Sequence, residues 1–221
     1  MNLFELSHTI SPNMPRFSGM PDPVIRSWRS HAESAESGIY EGCSCEVSEV
    51  QFVTSLGTYM NSPFHFDPNG ATIDQLPLEQ LVLPGIVVDC TNLDAGQPIL
   101  PGVLDGRELA GKAVLFHTGW YKYWGTDHYD SHPFLTGATA ETLRNRGAKL
   151  VGIDTLVIDD IHDPQRPVHG TLLKAGILII ENMTYLSALP LDEFTLHAAP
   201  VRIQGAAAFP VRAYAVANVS H

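Results

Sequence analysis

From residue 86 onward, apolar residues come in short runs separated by amphipathic stretches. Four of these runs have the length and composition of buried strands: residues 86–89, 113–117, 150–154 and 177–181. Helical periodicity occupies residues 139–146 and 168–175, and Gly176 stands where a helix C-terminus favours glycine. Strands interleaved with helices predict an α/β domain with a largely buried sheet.

The remaining segments carry weaker patterns. Alternation predicts a strand at residues 46–54 and two more at residues 194–197 and 211–217, and a short helix is predicted at residues 76–83. Residues 11–42 are rich in Pro, Gly and Ser, which predicts long loops and short strands. Four prolines there disfavour helix: Pro12, Pro15, Pro21 and Pro23.

Composition indicates a soluble globular protein, with 44% hydrophobic and 17% charged residues in a chain of 221. This length predicts one domain over residues 1–221. The net charge of −11 disfavours nucleic acid and anionic membranes as partners, because both need clustered positive charge.

Three cysteines, a low and odd number, argue against a disulfide framework and fit a reducing compartment. The N-terminal residues show no basic region followed by an apolar run, and no apolar run is long enough to span a bilayer. We therefore expect a cytoplasmic protein.

Polar side chains of one parity lie between residues 55 and 65. If this segment is extended, alternate residues point to the same side. The residues concerned are Ser55, Tyr59, Asn61 and His65. Gly57 and Pro63 suit a sharply shaped loop, so the segment can place these groups at the rim of a pocket. The alternative is a turn that only fills the core.

The same segment resembles the H-x-G-T-H-x-D-x-P-x-H motif of the bacterial cyclase family, which includes kynurenine formamidases and related amide and lactone hydrolases. Four residues fit the motif: Gly57, Thr58, Pro63 and His65. Three others, Ser55, Tyr59 and Asn61, stand where the family has His, His and Asp. Further segments resemble the family at residues 6–15, 152–155, 169–182 and 210–212.

This resemblance implies a swivelling β/β/α-type fold, with a mixed sheet and flanking helices, and a homodimer or homotetramer with a pocket near the subunit interface. In the family, the His and Glu that match His169 and Glu181 serve a metal centre. The residues that replace the family's ligands here are weak metal ligands, because Ser and Asn bind zinc poorly and a tyrosine must first lose a proton whose pKa is about 10. We expect no cofactor, with Zn²⁺ or Mn²⁺ held weakly by His169, Glu181 and Asn61 as the alternative.

Position along the chain gives a second reason to consider His169 and Glu181. Glu181 ends an apolar strand, and ligands bind at the carboxyl ends of strands in open α/β sheets. His169 lies at a predicted helix start, where a neutral imidazole is favoured. Taken singly, each residue suits a structural role equally well, as an acceptor for a loop or as a helix cap. We predict His65 as the general acid–base, with Glu181, His169 and Tyr59 as its catalytic partners.

An aromatic cluster follows the strand at residues 113–117. The resemblance implies that this region encloses substrate, so we predict Trp120 and Tyr121 as substrate-binding residues together with Ser55 and Asn61. A packing cluster is the alternative. Charged residues of the loop after residue 153, including Asp154 and Asp159, are expected to be mostly solvated.

Two kinds of function follow. The first is an enzyme acting on a small carbonyl metabolite by histidine-centred acid–base chemistry without the family's usual metal. Its reaction would be cyclisation, isomerisation, elimination, or hydrolysis of a lactone, imide or amide. The second is a non-catalytic protein that binds a small molecule on the same scaffold. A kynurenine formamidase-like hydrolase with a rebuilt metal site is a further alternative.

Overall fold

The computed structural model describes residues 1–217 of the chain. It forms two compact units: residues 1–9 together with those from 54 onward, and Ile10–Val53, which we call the ribbon unit. The single-domain organisation predicted for residues 1–221 includes positions 218–221, which lie outside the described residues, and it stays a prediction.

The strands are β1 Asn2–Glu5, β2 Val24–Arg29, β3 Val47–Gln51, β4 Tyr59–Asn61, β5 Val82–Asp89, β6 Pro98–Ile99, β7 Ala113–His117, β8 Phe134–Leu135, β9 Leu150–Ile153, β10 Leu178–Glu181, β11 Phe194–His197, β12 Ala208–Pro210 and β13 Tyr214–Ala217. The α-helices are α1 His31–Glu36, α2 Gly137–Asn145 and α3 Pro167–Lys174. Short 3₁₀ turns occupy Pro63–His65, Ile73–Gln75, Leu78–Gln80, Pro101–Leu104, Trp120–Tyr123, Asp127–Ser131 and Leu186–Ala188.

Nine of these strands form one mixed sheet in the order β1-β13-β11-β5-β7-β9-β10-β4-β12. Its centre, β5-β7-β9-β10, is parallel, and antiparallel strands extend it on both sides. The predicted mixed α/β fold is therefore confirmed, and the parallel strands fall on the four apolar runs.

The central strands are buried on both faces, which explains why their sequences are continuously apolar rather than alternating. Along β10, Ile179 packs into one hydrophobic cluster and Ile180 into the other. Helix α3 covers the first of these clusters through Val168 and Leu172.

A tight turn joins α3 to β10. Gly176 takes the left-handed conformation with φ of +74°, and the amide of Ile177 donates to the carbonyl of Leu172 at 3.0 Å. This ending confirms Gly176 as the residue after the helix. It returns the chain directly into β10, so that Glu181 and His169 lie at the same end of the helix–strand pair.

Two local expectations are wrong. The helix predicted at residues 76–83 is only a 3₁₀ turn at Leu78–Gln80, and β5 already begins at Val82. The second concerns the proline-rich residues 11–42, which were expected to hold no helix. Helix α1 forms there because the prolines of this segment all precede residue 24, and because Ser30 and Glu33 make a reciprocal capping box.

Candidate functional site

Glu181 is the centre of the site. Strand β10 pairs with β4 in antiparallel register and sets Glu181 opposite Tyr59. The Glu181 side chain is fully buried, and its Oε2 accepts a short hydrogen bond from the Tyr59 hydroxyl and a second from Asn61 Nδ2 at 3.1 Å. Its Oε1 accepts from the amide of Ile158 at 2.7 Å and lies 3.4 Å from His169 Nε2.

His169 is held between two carboxylates. Its Nδ1 lies 2.6 Å from Asp159 Oδ2, on the opposite side of the ring from Glu181. Asp159 also accepts from the amides of Val168 at 2.7 Å and His169 at 3.1 Å, at the start of α3. One carboxylate therefore binds the free amides at the helix start and fixes the direction of the imidazole.

The prediction that this loop is mostly solvated is wrong for two residues. Asp159 is fully buried and belongs to the site. Asp154 is also fully buried, where it accepts from Thr118 Oγ1 at 2.6 Å and from the amide of Gly119 at 2.8 Å. Asp159 lies eight residues before the first residue of α3, outside the spacing of a capping box, so no local signal in the sequence indicates its role.

His169 and Glu181 form an ion pair. Burial opposes a charge on His169, but Glu181 and Asp159 outweigh it and raise the pKa of His169 to about 9. Burial likewise opposes ionisation of Glu181, but the cationic His169 and the hydrogen bonds to the carboxylate lower its pKa to about 2. The expectation of a neutral imidazole is therefore wrong, because two adjacent carboxylates outweigh the field of a short helix.

Tyr59 and Asn61 complete the cluster around Glu181. Burial and the charge of Glu181 raise the pKa of Tyr59 well above its usual value, so its phenol is a hydrogen-bond donor and not an anion. Asn61 Nδ2 donates to Glu181, whereas its buried Oδ1 has no hydrogen-bond partner among the described residues. An unpaired buried acceptor costs roughly 1–3 kcal/mol, so a donor from a ligand or water would be favoured there.

His65 lies next to His169 at the end of the turn Pro63–His65. Its ring centroid is 6.0 Å from that of His169, and Phe66 stacks on His169 at 4.8 Å. His65 keeps a solvent-exposed face, while burial of the rest of its ring and the cationic His169 lower its pKa. His65 is therefore neutral near pH 7, as a general base requires.

The structure brings Tyr59, Asn61, His65, His169 and Glu181 together, as expected for one site. Their catalytic roles stay predictions.

The other predicted substrate-binding residues have contacts of their own. Trp120 is buried and packs on Tyr123, and the Tyr121 ring lies 5.5 Å from that of Tyr185. Ser55 is half-buried. Trp120 also lies 5.3 Å from the His128 ring, and the Tyr121 hydroxyl lies 3.3 Å from Ser187 Oγ. Their substrate-binding role stays a prediction.

The described part of the chain holds neither a metal-binding group of side chains nor a membrane-spanning helix. Among residues 1–217, no group of three or more His, Cys, Asp or Glu side chains is arranged to hold a metal ion. None of the helices there combines the length and apolar character needed to cross a bilayer.

Known proteins resemble this chain over nearly its whole length. The Cyclase family model matches residues 4–160. Kynurenine formamidase from Salinibacter ruber is 30% identical over 214 residues, which cover 96% of each chain.

Solved structures share the fold. Isatin hydrolase A from Labrenzia aggregata, bound to benzyl benzoate, has a TM-score of 0.86 at 23% identity and covers 98% of this chain and 93% of its own. A predicted metal-dependent hydrolase from Bacillus stearothermophilus has a TM-score of 0.77 at 26% identity, with 97% of each chain covered. The family model spans well over half of the sequence. The segment at residues 169–182, which resembles the family, contains both His169 and Glu181. The protein therefore belongs to the cyclase family of enzymes.

Proposed function

We propose that the protein hydrolyses a small activated carbonyl compound, an imide, lactone or amide, by acid–base chemistry centred on His65 and without a bound dication. The observation that carries the proposal is the buried Glu181 carboxylate, which is surrounded by four hydrogen-bond donors. The kynurenine formamidase and isatin hydrolase among its relatives support the substrate class.

The donor set of the site fits a dication poorly. A metal ligand must offer a free lone pair, but both nitrogens of His169 face carboxylates and its raised pKa keeps the ring protonated. Tyr59 retains its proton, and each oxygen of Glu181 already faces two donors. Asp159 is engaged by His169 and the amides at the start of α3, so His65 and the Oδ1 of Asn61 are the main ligands left. These are fewer than the three protein ligands usual for a catalytic zinc.

The residues of the site suggest the following reaction steps. Neutral His65 takes a proton from water as the water oxygen attacks the carbonyl carbon. The C–N or C–O bond then breaks, and the imidazolium returns its proton to the leaving atom. Tyr59 donates to the developing oxyanion, exchanging Glu181 for the substrate oxygen, and Asn61 Oδ1 accepts a substrate N–H. Since a few neutral donors must stabilise the oxyanion, an activated imide or lactone suits the site better than an ordinary amide.

Asp159 acts through His169 as a positioning residue. Its carboxylate orients the imidazole and, with Glu181, keeps it cationic. Burial and, after it, that cation lower the pKa of His65, so the proposed base is unprotonated near neutral pH.

A second candidate is a kynurenine formamidase-like hydrolase with a rebuilt metal centre. It is favoured by the neighbour that is described as a metal-dependent hydrolase. Zn²⁺ or Mn²⁺ would then displace protons from the Tyr59–Glu181–His169 cluster, which makes metal binding strongly pH-dependent.

The test is turnover of isatin, a small lactone and an N-formyl anilide by chelator-treated protein. We expect hydrolysis of at least one activated substrate, unchanged by chelator, with a loss of about 100-fold or more in His65→Gln. The exposed His162 supplies the matched control, since His162→Gln should retain full activity.

The other outcomes separate the alternatives. Formamide hydrolysis that appears only with added Zn²⁺ or Mn²⁺ would overturn the metal-free assignment. Undiminished turnover by His65→Gln would remove His65 from the mechanism. Binding of these compounds without turnover would favour a non-catalytic binding protein.

We also propose an oligomeric state, a cellular location and a class of partner for this protein. The resemblance implies a homodimer or homotetramer, and the low cysteine count fits a cytoplasmic location. The proposed partner of the pocket is a small molecule and not a nucleic acid or a membrane, in keeping with the net charge of −11.

A further inference from the structure

Asn182, the residue that follows Glu181, has an unusual backbone conformation. Its φ is +55°, in the left-handed region that residues with a side chain seldom adopt, although asparagine tolerates it better than most. The residue is only 3% exposed and lies at the point where β10 ends. A buried residue keeps such a conformation only where its surroundings hold it, so the contacts of Asn182 carry structural weight.

Three segments of the chain hold Asn182. The Thr58 hydroxyl donates to its carbonyl oxygen at 2.5 Å, and its own amide donates to the carbonyl of Thr155 at 3.0 Å. The hydroxyl of Tyr129 donates to its side-chain Oδ1 at 2.9 Å. Thr58 Oγ1 also accepts from the amide of His8 at 3.0 Å, which helps to direct its own proton towards Asn182. The backbone and the side chain of Asn182 are therefore both fixed.

These contacts lie beside the residue pair on which the proposed chemistry depends. Tyr59 opposite Glu181 is the last pair in the register of β4 and β10. Thr58 directly precedes Tyr59, and Asn182 directly follows Glu181. The hydrogen bond from Thr58 to Asn182 therefore connects the two strands one residue beyond the end of their ladder. It restrains both members of the last pair at the position where their side chains meet.

Tyr129 acts on this pair only through Asn182, and its hydroxyl has no part in the proposed reaction. Tyr129 is 1% exposed, and the Trp124 ring meets its ring edge to face at 5.2 Å. Burial and, after it, the charges of Asp154 and Glu181 raise the pKa of Tyr129 well above its usual value, so the hydroxyl keeps its proton and donates. Phenylalanine would fill nearly the same volume, but it would remove this donor from Asn182 Oδ1.

We propose that Tyr129 is a positioning residue for the Glu181 site. Its hydroxyl holds the side chain of Asn182, and Asn182 holds the end of β10. The carboxylate of Glu181 is thereby kept in reach of Tyr59 and His169. The proposal rests on the hydrolase chemistry proposed above, because that reaction uses the groups that Glu181 aligns. Small displacements matter there, since a shift of about 1 Å in a reacting group can cost about 100-fold in rate.

The first experiment measures kcat and KM of Tyr129→Phe with an activated imide or lactone that the natural protein hydrolyses. We expect kcat to fall about 10-fold or more while KM changes less than about twofold, because Tyr129 aligns reacting groups and does not touch the substrate. The control is Tyr214→Phe, which removes a hydroxyl from an exposed position on β13 and should keep the natural kcat. A natural kcat in Tyr129→Phe would overturn the proposal.

A double variant tests whether the effect passes through Asn182. Glycine adopts the left-handed conformation freely, so Asn182→Gly keeps the backbone conformation without the contact from Tyr129. Adding Tyr129→Phe to Asn182→Gly should therefore lower kcat by less than about twofold more, because the two residues act as one unit. A further loss as large as in the natural background would mean that Tyr129 acts by another route, and it would reject the proposal.

A matched pair of substitutions at Thr58 tests the other contact of Asn182. Thr58→Val removes the hydroxyl at nearly constant volume and should lower kcat about as much as Tyr129→Phe does. Thr58→Ser keeps the hydroxyl and should restore most of the natural kcat. Equal activity of the valine and serine variants would contradict the role given to the Asn182 contacts.

NMR of the His169 ring supplies a readout that does not need turnover. Its two nitrogens are buried and face different carboxylates, with Nδ1 at 2.6 Å from Asp159 and Nε2 at 3.4 Å from Glu181. In Tyr129→Phe the resonance of the Nε2 proton should shift and that of the Nδ1 proton should stay, because only Glu181 is displaced. Two unchanged resonances, or an equal shift of both, would reject the proposal.

Failure of the proposed function and failure of this inference give different results. A natural protein that hydrolyses none of the substrates would remove the hydrolase assignment. The two His169 proton resonances would still decide whether Tyr129 positions Glu181.

Discussion

The Glu181 cluster and the β2–β3 ribbon depart from ordinary protein construction in opposite ways. Around Glu181, charged groups are buried and satisfied by hydrogen bonds. On the ribbon, large apolar groups are exposed. Buried ion pairs add little stability compared with apolar packing, and exposed apolar surface forgoes stabilisation that burial would supply. The comparison teaches that stability alone explains neither region.

The largest effect should come from neutralising the centre of the buried cluster. Glu181→Gln leaves the cationic His169 and the Tyr59 hydroxyl without their carboxylate. We expect the free energy of unfolding to fall by about 3–5 kcal/mol, the usual cost of breaking a buried ion pair by removing one partner.

Urea denaturation measures this change. The matched control is Glu5→Gln, which breaks the exposed Glu5–Arg212 pair and should cost less than about 1 kcal/mol. If the two substitutions cost the same, the distinction between the buried cluster and the surface would fail.

The pH dependence of stability gives a smaller effect that separates the two partners of the His169–Glu181 ion pair. Since the pKa of His169 is raised to about 9, its contribution is complete below pH 6.5 and is lost as the pH rises through 9. Since the pKa of Glu181 is lowered to about 2, its contribution is complete above pH 4.5 and is lost as the pH falls through 2.

Asp159→Asn removes one of the two carboxylates that raise the pKa of His169, so the alkaline loss of stability should occur at lower pH. Urea midpoints measured from pH 5 to pH 10, with an NMR titration of His169, record both changes. Asp163→Asn, in the same loop but half-exposed, serves as the control and should leave the alkaline limb in place. An unshifted His169 titration in Asp159→Asn would contradict the assigned role of Asp159.

The smallest effect is expected on the ribbon. Ile25→Ser removes an exposed side chain, so the stability of dilute protein should change by no more than about 0.5 kcal/mol. Calorimetry of dilute protein measures the thermal midpoint. A clear loss would mean that Ile25 supports the fold of a single chain.

Sequence patterns predicted most of the architecture because its signals are local. The apolar runs that became β7, β9 and β10 are buried on both faces, and Gly176 occupies the left-handed position after α3. The helix at residues 76–83 was wrong because β5 begins at Val82, and pairing with β11 takes the last two residues of the segment into the sheet. In α1, by contrast, the capping box of Ser30 and Glu33 was a local signal that outweighed the proline-rich context.

The candidate site was only partly predictable. Resemblance to the cyclase family and the position at a strand end indicated Glu181, His169 and His65, and the structure places them together. Asp159 was missed, because its contact with His169 depends on how a loop folds back on the start of α3. The protonation state of His169 could not be predicted from the sequence either. Its pKa depends on two carboxylates that only tertiary packing brings within 4 Å of its ring.

By itself, the sequence determined the α/β pattern, the family, the residues available for chemistry and the replacement of three motif positions by Ser55, Tyr59 and Asn61. These properties depend only on short-range periodicity and on the identity of single residues. Only the tertiary structure decided that Glu181 gathers four donors, that His169 is a cation between two carboxylates, and that apolar side chains of β2 and β3 are exposed. Each depends on groups far apart in sequence, and both electrostatic energy and burial are set by distances in space.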